Sequence, residues 1–446
     1  MIRLRRPQGG LWHHPDFLRL WAGQSISELG SQVSLLAIPL LAAVQLHARP
    51  IEFSLLGVAG FAPFILFALP AGAWVDRLRR RRILIAGDAV RAVLLALIPV
   101  LWATHTLQMW HLLVIQFAVG VFTVFFDVAY QAYLPALIDR EQLVDGNAKL
   151  QLTVSVAQVA GPSTAGALVA AITAPYAIVA DAASFLVSTA FMLRMRHRES
   201  MPEMTPETQR RRLMAEAMEG LRWVVGHRWL RAIAACTSTA NFFSNLVFAI
   251  LVLYMVRELR LTSLQIGAVF ALGACGSIAG ALAAGRLQRR LGVGRTIVAG
   301  ALCFAVAGLP YPLAPHAFPM PLLILGGASG GFGSVVYNIT QVSLRQAITP
   351  ERLQGRMNAG IRWIVWGTIP LGALAGGIIA QAYGLKAALW IGALGSLLGF
   401  LPVALTSVRS VREIPAPVET PTATQAEMQG GIEDTTPPAV AISSDA

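Results

Sequence analysis

Mostly apolar stretches broken by short polar turns recur twelve times along this chain, at about 17–46, 53–75, 82–104, 108–131, 146–172, 175–195, 229–256, 263–285, 295–314, 319–340, 357–382 and 386–407. Lipid offers no partner to a backbone N–H or C=O, so a chain crosses it as a helix of roughly 20 residues whose backbone bonds are all internal. The pattern predicts an all-α integral membrane protein with twelve transmembrane helices.

The basic residues test that layout. If the loops alternate sides, 29 of the 35 Lys and Arg residues fall on one face, Arg49, Arg257, Arg260 and Lys386 fall on the other, and Arg91 and Arg362 lie inside spans. Cytoplasmic flanks carry the excess of positive charge. Both termini are therefore expected in the cytoplasm, together with the arginine-rich loop between the second and third spans.

The second half repeats the first. QAYLPALIDREQLVDGNA from Gln131 realigns on QVSLRQAITPERLQGRMNA from Gln341 at a shift of 210, which pairs Leu134 with Leu344 and Ile138 with Ile348. DRLRRRR from Asp76 falls opposite GRLQRRL from Gly285 at a shift of 209, and at 213 Glu28, Ser31 and Gln32 fall on Asn241, Ser244 and Asn245. Six spans return the chain to its starting side, so the halves share one orientation and form two pseudo-symmetric six-helix bundles. The expected organisation is an N-terminal segment 1–16, a bundle 17–195, a central loop 196–228, a bundle 229–408 and a tail 409–446. Within the central loop, Leu213, Ala217, Leu221 and Val224 form an apolar series that reads as an amphipathic helix on the anionic inner leaflet or as a plain spacer. Residues 413–446 hold five prolines, six acids and no bases, a composition of disordered chain.

Composition narrows the function. The 446 residues are 55% hydrophobic and 13% charged, with a formal net charge of +12. No base-reading module accompanies that charge, so nucleic acid is not an expected partner. Cys236, Cys275 and Cys303 stand singly in apolar runs, without metal-ligand spacing or a disulfide framework. Neither lysine, Lys149 or Lys386, closes a phosphate loop. No Ser/His/Asp set is apparent either, so an enzyme is not expected. No cofactor or metal is expected.

GAWVDRLRRRR resembles the signature loop between helices 2 and 3 of the major facilitator superfamily, Gly-x-x-x-Asp-Arg-x-Gly-Arg-Arg/Lys. It matches at Gly72, Asp76, Arg77, Arg80 and Arg81 and departs at Arg79, where the family has Gly. The stretches FFDVAYQAYLPALIDREQLVDGNAKLQ and GPSTAGALVA look more narrowly like the branch of drug:proton antiporters, macrolide exporters and siderophore exporters. In that branch helix 5 carries a motif ending Gly-Pro-x-x-Gly-Gly; Gly161, Pro162 and Gly166 match it, and Ala165 replaces the first Gly of the closing pair. The resemblance implies a transporter that binds small molecules between two bundles, acting as a monomer in a bacterial plasma membrane.

Polar groups inside spans are costly and usually face a bundle interior or a wet cavity. Glu28 sits 11 residues into the first span, near the bilayer centre at a rise of about 1.5 Å per residue. With Gln24, Ser27 and Ser31 it follows i, i+3, i+4, i+7 spacing and forms one polar stripe. Thr237, Asn241, Ser244 and Asn245 make the counterpart on the seventh span, and two facing stripes would line a central cavity. Glu28 is a candidate proton carrier or a structural hydrogen-bonding group. Asp127 is a latch partner for the arginine loop or a proton site, and Asp181 is either structural or coupling. Asp88 and Arg91, three residues apart, form a structural charge pair. Arg362 would bind an anionic substrate or match a carboxylate, and Trp366, with Phe125, Phe126 and Trp363, suits a bulky aromatic compound. Gly161-Pro162 and Ile369-Pro370 should kink their helices. Gly276 to Gly280, Gly326 to Gly330 and Gly372 to Gly376 offer close-packing faces.

The leading expectation is proton-coupled efflux of drug-like or secondary-metabolite molecules by alternating access. The alternatives are a dedicated siderophore or lipid-type exporter, an importer, and a transporter-like sensor that binds without translocating. In the leading reading the arginine loop, with Asp76, latches the outward-open state through charge-assisted hydrogen bonds; plain positive-inside topology accounts for Arg79 and Arg82 but leaves Asp76 unexplained. Asp76→Asn is accordingly expected to insert normally yet lose most transport, and full flux in reconstituted vesicles would eliminate the latch.

Overall fold

A computed structural model of the chain describes residues 11–75, 78–139, 142–195 and 218–413. Asp76, Arg77, most of the central loop and the tail beyond 413 lie outside the described residues. Twelve helices are long and apolar enough to span a membrane. They are α1 (Pro15–Leu40), α2 (Pro50–Val75), α3 (Arg80–Ala103), α4 (Met109–Leu137), α5 (Leu143–Ile172), α6 (Ala174–Leu193), α7 (Arg228–Arg257), α8 (Ser263–Leu291), α9 (Val293–Val306), α10 (Met320–Ala347), α11 (Glu351–Tyr383) and α12 (Leu385–Ser396). Short turns at Pro310–Leu313 and Leu401–Leu405 extend α9 and α12. Helices α4, α10 and α11 outrun their apolar stretches at the arginine-rich end. The turns added to α10 carry Gln341 and Arg345; hydropathy falls there while helical hydrogen bonding continues.

The internal repeat is written into the turns as well as the helices. Between α1 and α2, Leu46 N–H donates to Leu41 O and Ala48 N–H to Ala42 O; between α7 and α8, Leu259 donates to Tyr254 O and Leu261 to Met255 O. All four positions are offset by 213, and so are the left-handed residues His47 (φ 49°) and Arg260 (φ 52°). Thr173 (φ 71°) between α5 and α6 likewise matches Gly384 (φ 89°) between α11 and α12. Leu134, Leu344, Ile138 and Ile348, paired by the sequence alignment, are all buried.

The halves meet along two seams related by the repeat, α2 on α11 and α5 on α8. Both seams are lined by residues too small to hold the backbones apart. A methyl group at Gly166 would lie 3.0 Å from Gly267 Cα, one at Gly267 would lie 2.5 Å from Pro162 O, and one at Gly377 would lie 1.9 Å from Ser54 Oγ. The Gly161-Pro162 motif therefore serves the close packing of α5. Its glycines let α5 approach α1, where Gly161 abuts Gln32, and α8, across the seam.

The apolar cores give the molecule a direction. At the end opposite the arginine-rich loops one continuous core joins both halves, with Leu36, Leu41, Phe53 and Phe185 packed in the same cluster as Ile250, Tyr254, Leu323 and Leu389. Arg257 Nη2 donates to Ala48 O across the halves there, at 2.7 Å. At the arginine-rich end the core divides in two. One part lies around Phe17, Phe126 and Tyr133 of the first half, the other around Leu230, Ile233 and Met357 of the second. The cleft between the halves is thus sealed at one face and parted at the arginine-rich face. Residues 218–226 of the central loop are helical and pack on α11: Val224 is fully buried in the second-half core, and Glu219 pairs with Arg356.

The glycine faces expected from sequence are close contacts. A methyl group at Gly276 would sit 1.9 Å from Ala328 O on α10, and one at Gly372 would sit 2.1 Å from Phe242 O on α7. Gly276→Val should lower stability by about 1–3 kcal/mol through overpacking. Gly355→Ala, at a position with open space around it, should raise stability by up to about 1 kcal/mol. Thermal unfolding of the detergent-solubilised protein checks the pair; equal midpoints would mean that these contacts are loose.

Candidate functional site

A cavity of about 470 Å³ opens inside the first half, walled by α1, α2, α3, α4 and α6. Helical spacing on α1 brings Gln24, Ser27, Glu28 and Ser31 onto its surface as one stripe, and Asp127 from α4, Asp181 from α6 and Arg91 from α3 complete the polar wall. The three carboxylates singled out as proton-coupling candidates, drawn from three different helices, therefore share one chamber with one guanidinium. Phe64 and Phe126 supply aromatic surface to the same wall.

Arg91 organises the wall. It forms the expected buried ion pair with Asp88 one helical turn earlier, and its Nε donates to Gly87 O at 3.3 Å. Its guanidinium carbon lies 4.3 Å from the ring centroids of both Phe126 and Phe185, a cation held between two π faces. Asp88 is completely buried and does not line the cavity, whereas Arg91 does. The pair is structural on its aspartate side and belongs to the site on its arginine side. Sequence spacing had assigned both residues to structure alone, because an i, i+3 relation reveals the pairing but not which member reaches the cavity.

The acids are held differently. Glu28 Oε1 accepts from Gln32 Nε2 at 3.3 Å. Asp181 accepts from Ser184 Oγ at 3.2 Å, and its approach to α1 needs the glycine at position 30, where a methyl group would fall 2.8 Å from Asp181 Oδ1. Asp127 lies within electrostatic reach of both Arg91 and Glu28. Gln24 Oε1 on the wall and Tyr130 Oη, one turn beyond Asp127, are buried without a hydrogen-bond partner among the described residues. Such orphaned polar atoms call for a ligand or water. Gln116 and Thr123 of α4 and Ser34 of α1 also line the cavity and were not singled out in the sequence, although Gln116 and Thr123 share a helical face with Asp127 at i, i+7, i+11 and Ser34 continues the α1 stripe by three residues.

The counterpart stripe on α7 does not face this chamber, and the expected single central cavity is corrected here. Thr237 shares a 2.8 Å hydrogen bond with Tyr337 Oη of α10, Asn241 Nδ2 donates to Val365 O of α11 at 3.4 Å, and Asn245 donates back to Asn241 O. The stripe is turned into its own half. Thr237 and Asn241 border a crevice of about 50 Å³, and Ser244 borders a separate, largely apolar cavity of about 330 Å³ among α7, α8, α9 and α10. Arg362 and Trp366 line none of these spaces. Trp366 instead meets Phe61 and Phe64 of α2 edge-on across the seam, at 6.2 and 6.0 Å between centroids, with the Arg362 guanidinium 4.8 Å from its ring.

The described part of the arginine loop donates to backbone carbonyls of α4 and α6. Arg80 Nη1 donates to Ala132 O of α4, and Arg81 donates to Met192 O and Leu193 O where α6 terminates, its Nη2 bond measuring 2.9 Å. Unsatisfied carbonyls at a helix C-terminus carry partial negative charge, which is why guanidinium groups settle there. Gly72 has no neighbour against the position of a side chain. Asp76 and Arg77 fall outside the described residues.

Arg91→Gln should strand Asp88 as an uncompensated buried charge and destabilise the protein by about 3–5 kcal/mol. The double variant Asp88→Asn with Arg91→Gln should recover most of that loss. Unfolding midpoints of the three proteins measure it; equal losses in the single and double variants would show that the pair is not the source.

The chain matches the family model described as Major Facilitator Superfamily over residues 20–359 and 233–441. It is 25% identical over 369 residues to the multidrug efflux pump Tap of Mycolicibacterium fortuitum, a match covering 80% of this chain and 87% of that protein. It is 26% identical over 363 residues to the enterobactin exporter EntS of Escherichia coli O127:H6, covering 77% and 80%. In fold it is similar to a bacterial homologue of the iron transporter ferroportin at 17% identity. The TM-score is 0.67 against that protein's inward-facing state, covering 89% of this chain and 98% of the other. Against its outward-facing state the score is 0.52, covering 87% and 98%. With twelve spanning helices, two repeated halves and a polar chamber off a one-sided cleft, this chain belongs to the Major Facilitator Superfamily and is a membrane transporter rather than an enzyme.

Proposed function

We propose that the protein is a proton-coupled exporter of drug-like or secondary-metabolite small molecules, working by alternating access with its arginine-rich face in the cytoplasm of a bacterial cell. The observation that carries this reading is the chamber of the first half, in which Glu28, Asp127 and Asp181 gather around Arg91. Carboxylates grouped inside a membrane bundle are the parts from which proton relays are built. A proton taken up by one of them from one face and released to the other changes the charge beside Arg91, and through it the balance between the two arrangements of the halves. The cleft open at the arginine-rich face gives substrate a way in from the cytoplasm. Export as the direction is supported by the relatives Tap and EntS, which are an efflux pump and an exporter.

The aromatic surface at Phe64 and Phe126 within the chamber, and at Trp366 on the seam, suits a bulky amphipathic molecule. No cofactor enters this scheme, and a single chain suffices for it. In it the arginine loop at Gly72, Asp76, Arg77, Arg80 and Arg81 holds the cytoplasmic ends closed in the opposite state. The enterobactin exporter among the relatives favours a second reading, a dedicated siderophore exporter.

Flux of a panel of antibiotics and siderophores, measured in proteoliposomes under an imposed pH gradient, tests these readings. Uphill movement of one antibiotic or metabolite, abolished when the gradient is collapsed, is the expected result. Binding without flux would make the protein a sensor, and movement indifferent to the gradient would remove proton coupling. Glu28→Gln is expected to retain substrate binding while gradient-driven flux drops to background; unaltered coupling in that variant would discard Glu28 as a proton carrier.

A further inference from the structure

At the arginine-rich face of the second half, the segment that follows α12 is stapled across the turn between α8 and α9. Val293 N–H donates to Arg412 O at 3.1 Å and Gly294 N–H to Val411 O at 2.8 Å. The turn is shaped to receive it. Gly292 takes a left-handed conformation (φ 82°) against Arg412, and a methyl group at Gly294 would lie 1.9 Å from Val408 O. This arrangement draws Arg289, Arg290 and Arg295 from one segment and Arg409 and Arg412 from another around a surface cavity of about 870 Å³. Among the described residues Glu413 is the only carboxylate on its wall. Among the described residues none of the five arginines is in an ion pair. Like charges brought together by backbone hydrogen bonds, with almost nothing to neutralise them, form a site complementary to an anion.

A second feature joins it. A shallow, mainly apolar groove of about 510 Å³ runs along one outer face of α8, bordered by Ala279, Leu282, Ala283 and Leu287 with Arg286 among them, and it shares Arg290 and Leu291 with the arginine cavity. Leu282 is 69% exposed, on a helix that reads as a membrane span. A cationic cup at the membrane surface continuous with an apolar channel along a span has the outline of one molecule, an anionic head on a hydrocarbon chain.

We propose that cup and groove form a binding site for an anionic phospholipid of the leaflet at the arginine-rich face, its phosphate among the five guanidiniums and an acyl chain along α8. The acidic residues beyond 413 match the cup in charge, but a peptide cannot occupy the groove, because its backbone N–H and C=O groups would lie unsatisfied in lipid. An acyl chain has no such groups.

The full-length protein in neutral detergent, titrated with phosphatidylglycerol or phosphatidylcholine and read by native mass spectrometry, tests this. Phosphatidylglycerol should be retained in preference to phosphatidylcholine. The double variant Arg409→Gln with Arg412→Gln should weaken its retention roughly 30-fold, as expected when two interfacial cations are neutralised. Arg409→Lys with Arg412→Lys should keep the lipid, which separates lost charge from lost folding. Absence of lipid preference in the wild type, or wild-type retention in the Gln variant, would overturn the proposal. So would phosphatidylglycerol binding that appears only after residues 414–446 are deleted, since the tail would then be the occupant. Inorganic phosphate at matching concentration should fail to displace the lipid, having no chain for the groove; complete displacement would reassign the cup to a free anion.

Discussion

A guanidinium inside a membrane helix has no solvent to fall back on, and the first half of this transporter is built around meeting that need at Arg91. Contact with two aromatic faces offers on the order of 2 kcal/mol each when desolvated, which alone does not offset the several kcal/mol of dehydrating the ion. The Asp88 carboxylate and Gly87 O supply the remainder. Because the rings come from α4 and α6, solvating one charge also fixes how α3, α4 and α6 pack. The positions of Asp127 and Asp181 on the cavity wall follow from that packing, and Glu28 completes the wall because Gly30 and Gly161 let α1 lie close to α6 and α5.

What the sequence could disclose divides along a physical line. Lipid imposes span length, the positive-inside rule imposes the arginine bias, and a repeat of about 210 residues is a plain register, so the twelve helices and two halves were legible, as was the Asp88–Arg91 pair. The rotation of each helix about its axis was not. The spacing of Thr237, Asn241, Ser244 and Asn245 establishes that they share a face of α7, yet where that face points is decided by their partners Tyr337 and Val365, 100 and 124 residues away. The same holds for Arg91, whose exposure to the cavity depends on Phe126 and Phe185. Thr173 escaped notice as well, since nothing local announces that a β-branched residue will occupy the left-handed position that glycine holds at its repeat partner, Gly384.

The halves share a backbone plan but not a chemistry. At the register of the repeat Glu28 faces Asn241, and Asp127 faces Tyr337, so the carboxylates of the first half are answered by neutral groups in the second. The cavities follow suit: the one of about 470 Å³ in the first half holds acids and an arginine, and the one of about 330 Å³ among α7, α8, α9 and α10 is bordered mainly by glycines and apolar side chains. Duplication supplied the shared backbone plan, and divergence left the chamber's carboxylates in the first half. In the proposed scheme a charge change in the first half acts on a second half whose repeat-related positions are neutral.

Moving between states would require the sealed face to part. The core there is apolar on both sides of the seam, from Leu41 and Phe53 to Tyr254 and Leu389, and its separation exposes hydrocarbon surface that the opposite face must rebury. Balance between the two is plausible on physical grounds because the arginine-rich end already holds two apolar clusters, around Tyr133 and around Met357, which are whole within their own halves. Along the seams, Gly166 against Gly267 and Gly377 against Ser54 leave no interlocking side chains to unthread. The cross-seam contacts with defined geometry, Arg257 to Ala48 and Trp366 to the two phenylalanines of α2, are few and local. Such contacts suit a rocking of the two halves as rigid bodies, and in the proposed proton-coupled scheme a change of one proton in the Arg91 chamber would bias one arrangement over the other.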